Sequence, residues 1–524
     1  MWAMWELRRY VKRVVVVVAV LLVAAAAGLG VGFGVTALTH RLATLSTVET
    51  VPPPAPVVPH PALRPATADG PAPTPAGVGA VLNPLIAAGG LGTLSGQVVD
   101  PATGAVLWQR NPASALVPGS TAKLLTASAA LLALDHQERF HTTVLAGADP
   151  GTVVLRGGGD PTLSGVAQGT ETGYPGAARL DDLASQVRAA VHGPVSRVLV
   201  DVSRYTGDAL APSWQPADVA GGYIAPIEPV MLDGGRADPH QDISPRAAKP
   251  ATAAAAELAR RLGADPDTVA LGSAAPGAAV LGDVSSPPVH DLVTTALQES
   301  DNVLAETLAR EVARKTGAQP SFAGASQAVL TVLVRHGFDV RGATLVDGSG
   351  LSTSDAVPAT LLTALLGAAA APDQSAPDQS APDQSGTAGG PGNQTTAGGA
   401  GNQTTRRGAG NPATAGGTGD QPTDGVKQPP TAALRPLLVG LPVAGGSGTL
   451  ADRYRDPAGA SARGRGWVRA KTGTLTGVNS LAGTVLDSDG RMLVFALLSN
   501  GPNPASVRPR LDGLAAQLRS CGCH

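Results

Sequence analysis

The longest uninterrupted hydrophobic run lies near the N-terminus, where Val14 to Leu38 contains no charged residue across 25 positions. A helix of this length, at 1.5 Å per residue, spans the ~30 Å hydrocarbon core of a bilayer. Four basic residues lie within Met1 to Arg13, and positive charge before the run predicts a cytoplasmic N-terminus with the rest of the chain outside. A cleaved signal peptide is the alternative, since Ala24 to Ala27 offers small residues. The run is longer than the usual apolar region of a signal peptide, which favours an uncleaved anchor.

Two segments have too few hydrophobic residues to build a core. Residues 39–78 are rich in proline and alanine, a composition typical of an extended polyproline II spacer. Residues 371–430 are of low complexity, with Ala-Pro-Asp-Gln-Ser in tandem from Ala371 to Ser385. Burial there cannot offset the entropy of ordering the chain. We therefore expect a linker over 39–78 and a disordered insertion over 371–430.

The hydrophobic pattern of the remaining chain predicts alternating strands and helices. A helix is expected directly after Ser120, and another over Val289 to Thr316. The stretch between them, 141–288, reads as a strand-rich insertion. Further strands and a final helix are predicted at Leu94–Asp100, Ala105–Arg110, Val468–Gly473, Asn479–Leu486, Arg491–Ser499 and Ala505–Arg519.

Composition and charge exclude some classes of function. The length of 524 residues allows two to three domains, and a net charge of −2 argues against a nucleic-acid partner. The histidines are scattered and form no His-Glu-x-x-His pattern, so we predict neither a metal nor another cofactor. The two cysteines, Cys521 and Cys523, are expected in a mobile tail, because a bridge across one residue is strained.

The first candidate site is Ser120 with Lys123, in the pattern Ser-x-x-Lys. Residues three apart on a helix lie one above the other. A serine is a poor nucleophile unless a neighbouring base takes its proton, and a lysine can do so when its pKa is lowered. We expect burial and a second cation, Lys471, to lower it. The alternative is an N-cap serine followed by a solvated lysine.

The second candidate is Ser300-x-Asn302, in which a hydroxyl could relay a proton and an amide could bind a substrate carbonyl. By itself this pair could equally be a polar loop or an N-cap.

The third candidate is Lys471-Thr472-Gly473-Thr474 on a predicted edge strand. A lysine there can hold a substrate carboxylate, Thr472 can hydrogen-bond to it, and glycine allows close approach to the backbone. The same three letters at Lys315-Thr316-Gly317 end a helix, so we assign that copy a structural role.

With these three motifs in this order, the chain resembles the serine penicillin-binding proteins. It is most similar to the D-alanyl-D-alanine carboxypeptidases/endopeptidases of the penicillin-binding protein 4 type, peptidase family S13. The gap of about 180 residues between the first two motifs fits the inserted domain of that family. Further segments fit it as well: Gly157 to Leu163, Asp347 to Ser352, and Leu441 to Gly445 with Gly448 to Leu450. The resemblance covers residues 80–370 and 431–520; it departs at 371–430, and the inserted domain looks rather short.

The resemblance implies an α/β (α+β) fold of the β-lactamase/transpeptidase type. A five-stranded antiparallel sheet flanked by helices would face an all-helical half, with a strand-rich domain inserted after the serine helix. Together with the transmembrane helix, linker and disordered segment predicted above from composition and charge, this divides the chain into cytoplasmic residues 1–13, an anchor 14–38, a linker 39–78, a catalytic domain 79–140 and 289–524, an inserted domain 141–288 and the disordered segment 371–430.

The resemblance also implies a role for each motif residue. Ser120 would attack the carbonyl of the penultimate D-alanine with Lys123 as base, and Ser300 would relay a proton to the leaving D-alanine. Asn302 would position the peptide, Lys471 and Thr472 would bind the terminal carboxylate, Gly473 would let the substrate approach, and the N–H groups of Ser120 and Thr474 would form an oxyanion hole.

The implied function is a serine-type D-Ala-D-Ala carboxypeptidase that trims peptidoglycan stem peptides through an acyl-enzyme and is inhibited by β-lactams. It would lie in the cell membrane with its catalytic domain on the extracytoplasmic face. A DD-endopeptidase that cleaves peptidoglycan cross-links would use the same residues. A β-lactamase would share the three motifs. The intact Ser120, Lys123 and Lys471 argue against a non-catalytic wall-binding protein.

Overall fold

The computed structural model of the chain describes residues 71–372, 431–501 and 503–524. The predicted anchor 14–38, most of the linker and almost all of the 371–430 segment lie outside the described residues. Within the described ranges, no helix combines the length and the apolar character that crossing a membrane requires.

The strands of the described residues form two separate sheets of five strands each. They are β1 Thr93–Val99, β2 Val106–Arg110, β3 His141–Ala146, β4 Thr152–Arg156, β5 Arg197–Asp201, β6 Ala270–Leu271, β7 Val280–Ser285, β8 Arg469–Leu475, β9 Val478–Leu486 and β10 Met492–Asn500. The helices are α1 Pro75–Ala87, α2 Lys123–Ala133, α3 Leu180–Ala190, α4 Pro216–Ala220, α5 Pro250–Leu262, α6 Val289–Gln298, α7 Asn302–Thr316, α8 Phe322–Arg335, α9 Ala359–Ala370, α10 Thr431–Leu434, α11 Pro436–Gly440 and α12 Pro504–Arg519.

The first sheet has the order β2-β1-β10-β9-β8 and is antiparallel throughout. The predicted five-stranded antiparallel sheet is confirmed, and β8, which carries Lys471, is an edge strand as expected. Successive side chains of a strand point to opposite faces, and along β10 both faces are buried. Leu493, Phe495 and Leu497 pack with α1 and α12, whereas Val494, Ala496 and Leu498 pack with the helical half that contains α2.

The helical half differs from its prediction at one point that matters for the site. The pattern predicts one helix over Val289 to Thr316, but the chain forms two, because α6 ends at Gln298 and α7 begins at Asn302. Between them, Ser300 adopts a positive φ of 57°, and the Asp301 side chain accepts a hydrogen bond from Leu304 N at 2.9 Å. An N-cap residue with non-helical backbone starts a new helix, so the motif lies on a turn.

The second sheet has the order β6-β5-β4-β3-β7 and is mixed. Its strands lie between His141 and Ser285, inside the predicted insertion of 141–288. The β4–β5 and β5–β6 pairs are parallel, and the others are antiparallel. Helices α3 and α5 pack their apolar sides on this sheet around a core of its own.

The C-terminal tail packs in the hydrophobic core between the first sheet and helices α1 and α12. The prediction of a mobile tail is therefore wrong. Cys521 and Cys523 are paired with each other and are only 1% and 8% exposed. The Cys523 carbonyl accepts a hydrogen bond from Thr74 N at 2.6 Å. Both cysteines belong to the hydrophobic core that α1 and α12 form with the first sheet, which the short spacing alone does not reveal.

Candidate active site

Ser120 and Lys123 lie side by side at the start of the first helix of the helical half. Ser120 lies in a short 3-10 turn, Gly119–Ala122, that leads directly into α2. Lys123 Nζ is 3.0 Å from Ser120 Oγ, 2.6 Å from Asn302 Oδ1 and 2.8 Å from the Ser349 carbonyl oxygen. A neutral amine has two N–H donors and one lone pair. If the donors serve Asn302 and Ser349, the lone pair faces the Ser120 hydroxyl.

The surroundings of Lys123 favour that neutral form. The side chain is 1% exposed, and burial lowers the pKa of Lys123 to about 8, because desolvation penalises the charged amine. Nearby carboxylates, of which Asp347 and Glu306 act most strongly, oppose the effect on this pKa. Burial thus lowers the pKa of Lys123 as expected, whereas the expected effect of Lys471 is not among the main causes.

Lys471 reaches the site from the opposite side, on the edge strand β8. Its Nζ donates to Ser300 Oγ at 2.8 Å and to the Thr472 carbonyl at 2.9 Å. Burial and the charge of Lys123 lower the pKa of Lys471 well below its usual value. Among the described residues, no carboxylate pairs with Lys471 within 4.0 Å, and its contacts are a hydroxyl and a carbonyl.

Gly473 allows strand β8 to pass directly beside Ser120. A Cβ atom at residue 473 would collide with Ser480 Oγ and the Pro118 carbonyl and would lie 3.0 Å from Ser120 N. Gly119, with φ of 53°, makes the same close contact from the other side, because a Cβ there would lie 3.1 Å from Thr474 N. The backbone N–H groups of Ser120 and Thr474 are thus brought close together, the arrangement that an oxyanion hole requires.

These elements surround a cleft of about 590 Å³. Of the sequence-predicted residues, five line it and three do not. Those that line it are Ser120, Ser300, Asn302, Thr472 and Thr474. The other three are Lys123 and Lys471, whose amines contact Ser120 and Ser300 respectively, and Gly473. The Thr472 hydroxyl is also 2.9 Å from the hydroxyl of Thr449.

Comparison with known proteins identifies the family of the chain. The model of the D-Ala-D-Ala carboxypeptidase 3 (S13) family matches residues 80–245, 238–408 and 427–519. The chain belongs to this family. Our prediction of the family, and of an enzyme of this class, is thereby confirmed.

Curated relatives and solved structures agree with the S13 assignment. The chain is 43% identical over 479 residues to carboxypeptidase DacB of Mycolicibacterium smegmatis, covering 91% of each chain. It is 41% identical to carboxypeptidase Rv3627c of Mycobacterium tuberculosis, covering 90% of each. Penicillin-binding protein 4 of Haemophilus influenzae has the same fold, with a TM-score of 0.59 at 19% identity over 85% of this chain and 98% of that one. Its complex with a β-lactam gives a TM-score of 0.54, at 20% identity over 83% of this chain and 98% of that one.

The active site also contains two buried carboxylates, Glu306 and Asp347, to which the sequence analysis assigned no role. Glu306 accepts hydrogen bonds from Gly348 N, and Asp347 accepts from the backbone of Ser349 and the indole of Trp214. Burial and the nearby Asp347 raise the pKa of Glu306 to about 8. These bonds hold the loop that presents the Ser349 carbonyl to Lys123. The turn-rich Asp-Gly-Ser-Gly segment was the available signal.

A second missed group comes from the strand-rich segment. Tyr174 and Arg236 both bind the carboxylate of Asp301, and the Tyr223 carbonyl accepts from Asn302 Nδ2 at 3.0 Å. No periodicity or spacing in the sequence indicated these contacts. Within the part of the chain that the structure describes, no group of three or more His, Cys, Asp or Glu side chains is arranged to hold a metal ion.

Proposed function

We propose that this S13 carboxypeptidase removes the terminal D-alanine of peptidoglycan stem peptides through an acyl-enzyme formed on Ser120. The observation that carries the proposal is the buried Lys123 amine, 3.0 Å from the Ser120 hydroxyl with a pKa lowered to about 8. A base is effective when its pKa lies near the working pH.

In the proposed reaction, Lys123 takes the Ser120 proton as the serine oxygen attacks the carbonyl of the penultimate D-alanine. The N–H groups of Ser120 and Thr474 stabilise the oxygen that gains charge. The new O–C bond replaces the peptide C–N bond, and the leaving amine receives a proton through Ser300. Water then hydrolyses the ester and restores the serine.

The terminal carboxylate of the substrate would bind to Lys471 and Thr472. Among the described residues, Lys471 contacts a hydroxyl and a carbonyl and has no carboxylate within 4.0 Å. A bound substrate carboxylate would favour the charged form of this amine and raise its lowered pKa. Asn302 would have a second role beside the predicted one, because its Oδ1 accepts a hydrogen bond from Lys123 Nζ at 2.6 Å and can orient that amine. Its Nδ2 group, which gives one hydrogen to Tyr223 O, keeps a second hydrogen for the peptide.

β-Lactams would acylate the same serine, since they present a carbonyl and a carboxylate in a similar arrangement. Cleavage of peptidoglycan cross-links would use the same residues on a longer substrate. A β-lactamase would differ in releasing hydrolysed penicillin, whereas we expect stable acylation.

The experiment incubates the full-length protein, purified in detergent, with labelled penicillin, a D-Ala-D-Ala pentapeptide and a cross-linked dimeric muropeptide. We expect stable labelling and release of D-alanine, both lost in Ser120→Ala. Absence of labelling and of D-alanine release from the folded parent protein would refute the proposal. Rapid turnover of penicillin would favour the β-lactamase, and faster cleavage of the dimer would favour the endopeptidase.

We further propose that the enzyme is anchored in the cell membrane by residues 14–38, with the catalytic region on the extracytoplasmic face. The charge-free run and the four basic residues before it support this orientation. Residues 141–288 would form the inserted domain, and 79–140 with 289–524 the catalytic domain.

A further inference from the structure

We propose that Arg236 and Tyr174 are positioning residues for Ser300 and Asn302, acting through the carboxylate of Asp301 that lies between them. The inference rests on the roles proposed above for Ser300 and Asn302. Two residues of the strand-rich segment would therefore hold groups that take part in the reaction in their working positions.

Three side chains form a closed triangle beneath the Ser300–Asn302 turn. Arg236 Nη2 is 2.7 Å from Asp301 Oδ2, and the Tyr174 hydroxyl donates to the same oxygen at 2.8 Å. Arg236 Nη1 donates to the Tyr174 hydroxyl oxygen at 2.6 Å. The Arg236 and Asp301 side chains are only 7% and 2% exposed. Hydrogen bonds between charged groups in such a buried setting are short and strong.

The two oxygens of Asp301 have separate tasks. Oδ1 caps helix α7 by accepting from Leu304 N at 2.9 Å, whereas Oδ2 receives both bonds from the strand-rich segment. Although burial alone would raise it, the charges of Arg236 and Arg246 hold the pKa of Asp301 below its usual range. The carboxylate therefore stays charged and holds its orientation.

Both neighbours of Asp301 depend on that orientation. Ser300 is in the left-handed region, with φ of 57°, a conformation that a non-glycine residue keeps only when its surroundings enforce it. Asn302 is the first residue of α7 and contacts Lys123 at 2.6 Å. A rotation of the Asp301 side chain would move the Ser300 hydroxyl relative to Lys471 and the Asn302 amide relative to Lys123.

The strand-rich segment thus does more than contribute lining residues to the cleft. Removing Arg236 leaves the Asp301 charge buried without its main partner, and such a charge relaxes by drawing in water or by turning away. The expected result is a slower reaction in a protein that still folds, because small displacements of catalytic groups slow a reaction strongly.

The test compares Arg236→Gln with Arg261→Gln in the full-length protein. Arg261 is a control within the same segment: it binds Asp181 at 2.6 Å, Glu257 and the Gly165 carbonyl at 2.7 Å, and it does not line the cleft. Arg236→Gln loses one arginine ion pair and Arg261→Gln loses two, so the control is the more demanding change. We expect the second-order rate constant for acylation by labelled penicillin to fall about 10- to 100-fold in Arg236→Gln. In Arg261→Gln it should change less than about twofold, because distant sites act independently.

A double-mutant cycle keeps the proposal testable if Arg236→Gln does not fold. Tyr174→Phe removes one hydroxyl, and Asp301→Asn keeps an N-cap side chain but loses the charge. Tyr174→Phe should slow acylation in the parent protein. It should have little further effect in the Asp301→Asn background, because the carboxylate oxygen that accepts from Tyr174 and Arg236 is then replaced. Independent, multiplying effects would overturn the proposal, as would full acylation in both Arg236→Gln and Tyr174→Phe.

The two proposals fail in different ways. If Ser120→Ala still forms a covalent adduct, the proposed function is wrong. If Ser120→Ala is inert while Arg236→Gln and Tyr174→Phe melt earlier but acylate at the parent rate per folded molecule, the function stands. The arginine and tyrosine are then structural only.

Discussion

Lys471 Nζ donates a 2.8 Å hydrogen bond to the hydroxyl oxygen of Ser300, although the two residues are 171 positions apart. Lys471 belongs to the edge of the first sheet, and Ser300 belongs to the turn between α6 and α7. This bond therefore joins the two sides of the cleft. The substrate carboxylate would bind at its Lys471 end, and the leaving amine would receive its proton at its Ser300 end.

Replacement of Ser300 should separate its chemistry from its backbone conformation. Ser300→Ala and Ser300→Gly both remove the hydroxyl, so D-alanine release should fall by at least about 100-fold in each, the usual scale for a lost proton relay. Only glycine adopts the positive φ freely, so the glycine variant should be more stable than the alanine variant by about 1 kcal/mol. Kinetics and urea denaturation of both variants measure the two effects. Near-parent release by either variant would remove Ser300 from the mechanism.

Lys123→Arg should fold but lose acylation by β-lactams. Arginine stays charged at any relevant pH and offers only donors, so it cannot accept the Ser120 proton. Penicillin labelling, with circular dichroism as the folding control, checks this expectation. An arginine variant that is labelled at the parent rate would show that Lys123 is not the base.

The lowered pKa of Lys123 also predicts a pH dependence. With a pKa of about 8, the neutral fraction, and with it the acylation rate, should rise ~tenfold per pH unit below pH 8 and level off above it. Glu306 titrates nearby, its pKa being raised to about 8 by burial, so Glu306→Gln is the control and should keep the rise. A profile that is flat from pH 6 to 8 contradicts the assignment.

Stability should respond to the titration of Lys123 in a defined direction. Its pKa is about 8 when folded against 10.5 for the ordinary side chain. Between these values the unfolded chain binds more protons, so the contribution of Lys123 to the free energy of unfolding increases from pH 8 to 10.5. Denaturation of the parent and of Lys123→Met across this range measures the difference.

Gly473→Ala should abolish acylation by pushing β8 away from Ser120. The added Cβ would collide with Ser480 Oγ and the Pro118 carbonyl, and the displacement would separate the two oxyanion donors. Gly367→Ala is the matched control, because a Cβ there meets no atom within 4 Å. It lies inside α9, where alanine should stabilise by about 0.5–1 kcal/mol. Acylation of Gly473→Ala within about tenfold of the parent would contradict the close-approach argument.

Much of the site was predictable because each motif is local in sequence. Ser120 and Lys123 lie three positions apart where the 3-10 turn runs into α2, and Lys471 to Thr474 share one strand, so local spacing brings the members of each motif together. The turn at Ser300 was missed because apolar residues on both sides continue with helical spacing, which hides a break. Tyr174 and Arg236 lie 127 and 65 positions from Asp301. Such contacts are determined by packing of the whole chain, and no local pattern encodes them.

The orientation proposed for the membrane anchor can be tested in intact protoplasts. If the basic residues before Val14 stay in the cytoplasm, added protease should digest the catalytic region and spare only the anchor. A cytoplasmic protein serves as the control for intact membranes. Protection of the catalytic region together with that control would reverse the orientation.

The bond from Thr74 N to the Cys523 carbonyl has a practical consequence for work on this enzyme. The first and last described stretches of the chain leave the folded region together, on the face of the sheet that α1 and α12 cover and not on the face of the serine helix. A fluorescent protein or affinity handle fused after His524 would therefore be attached on that face of the sheet, close to Thr74.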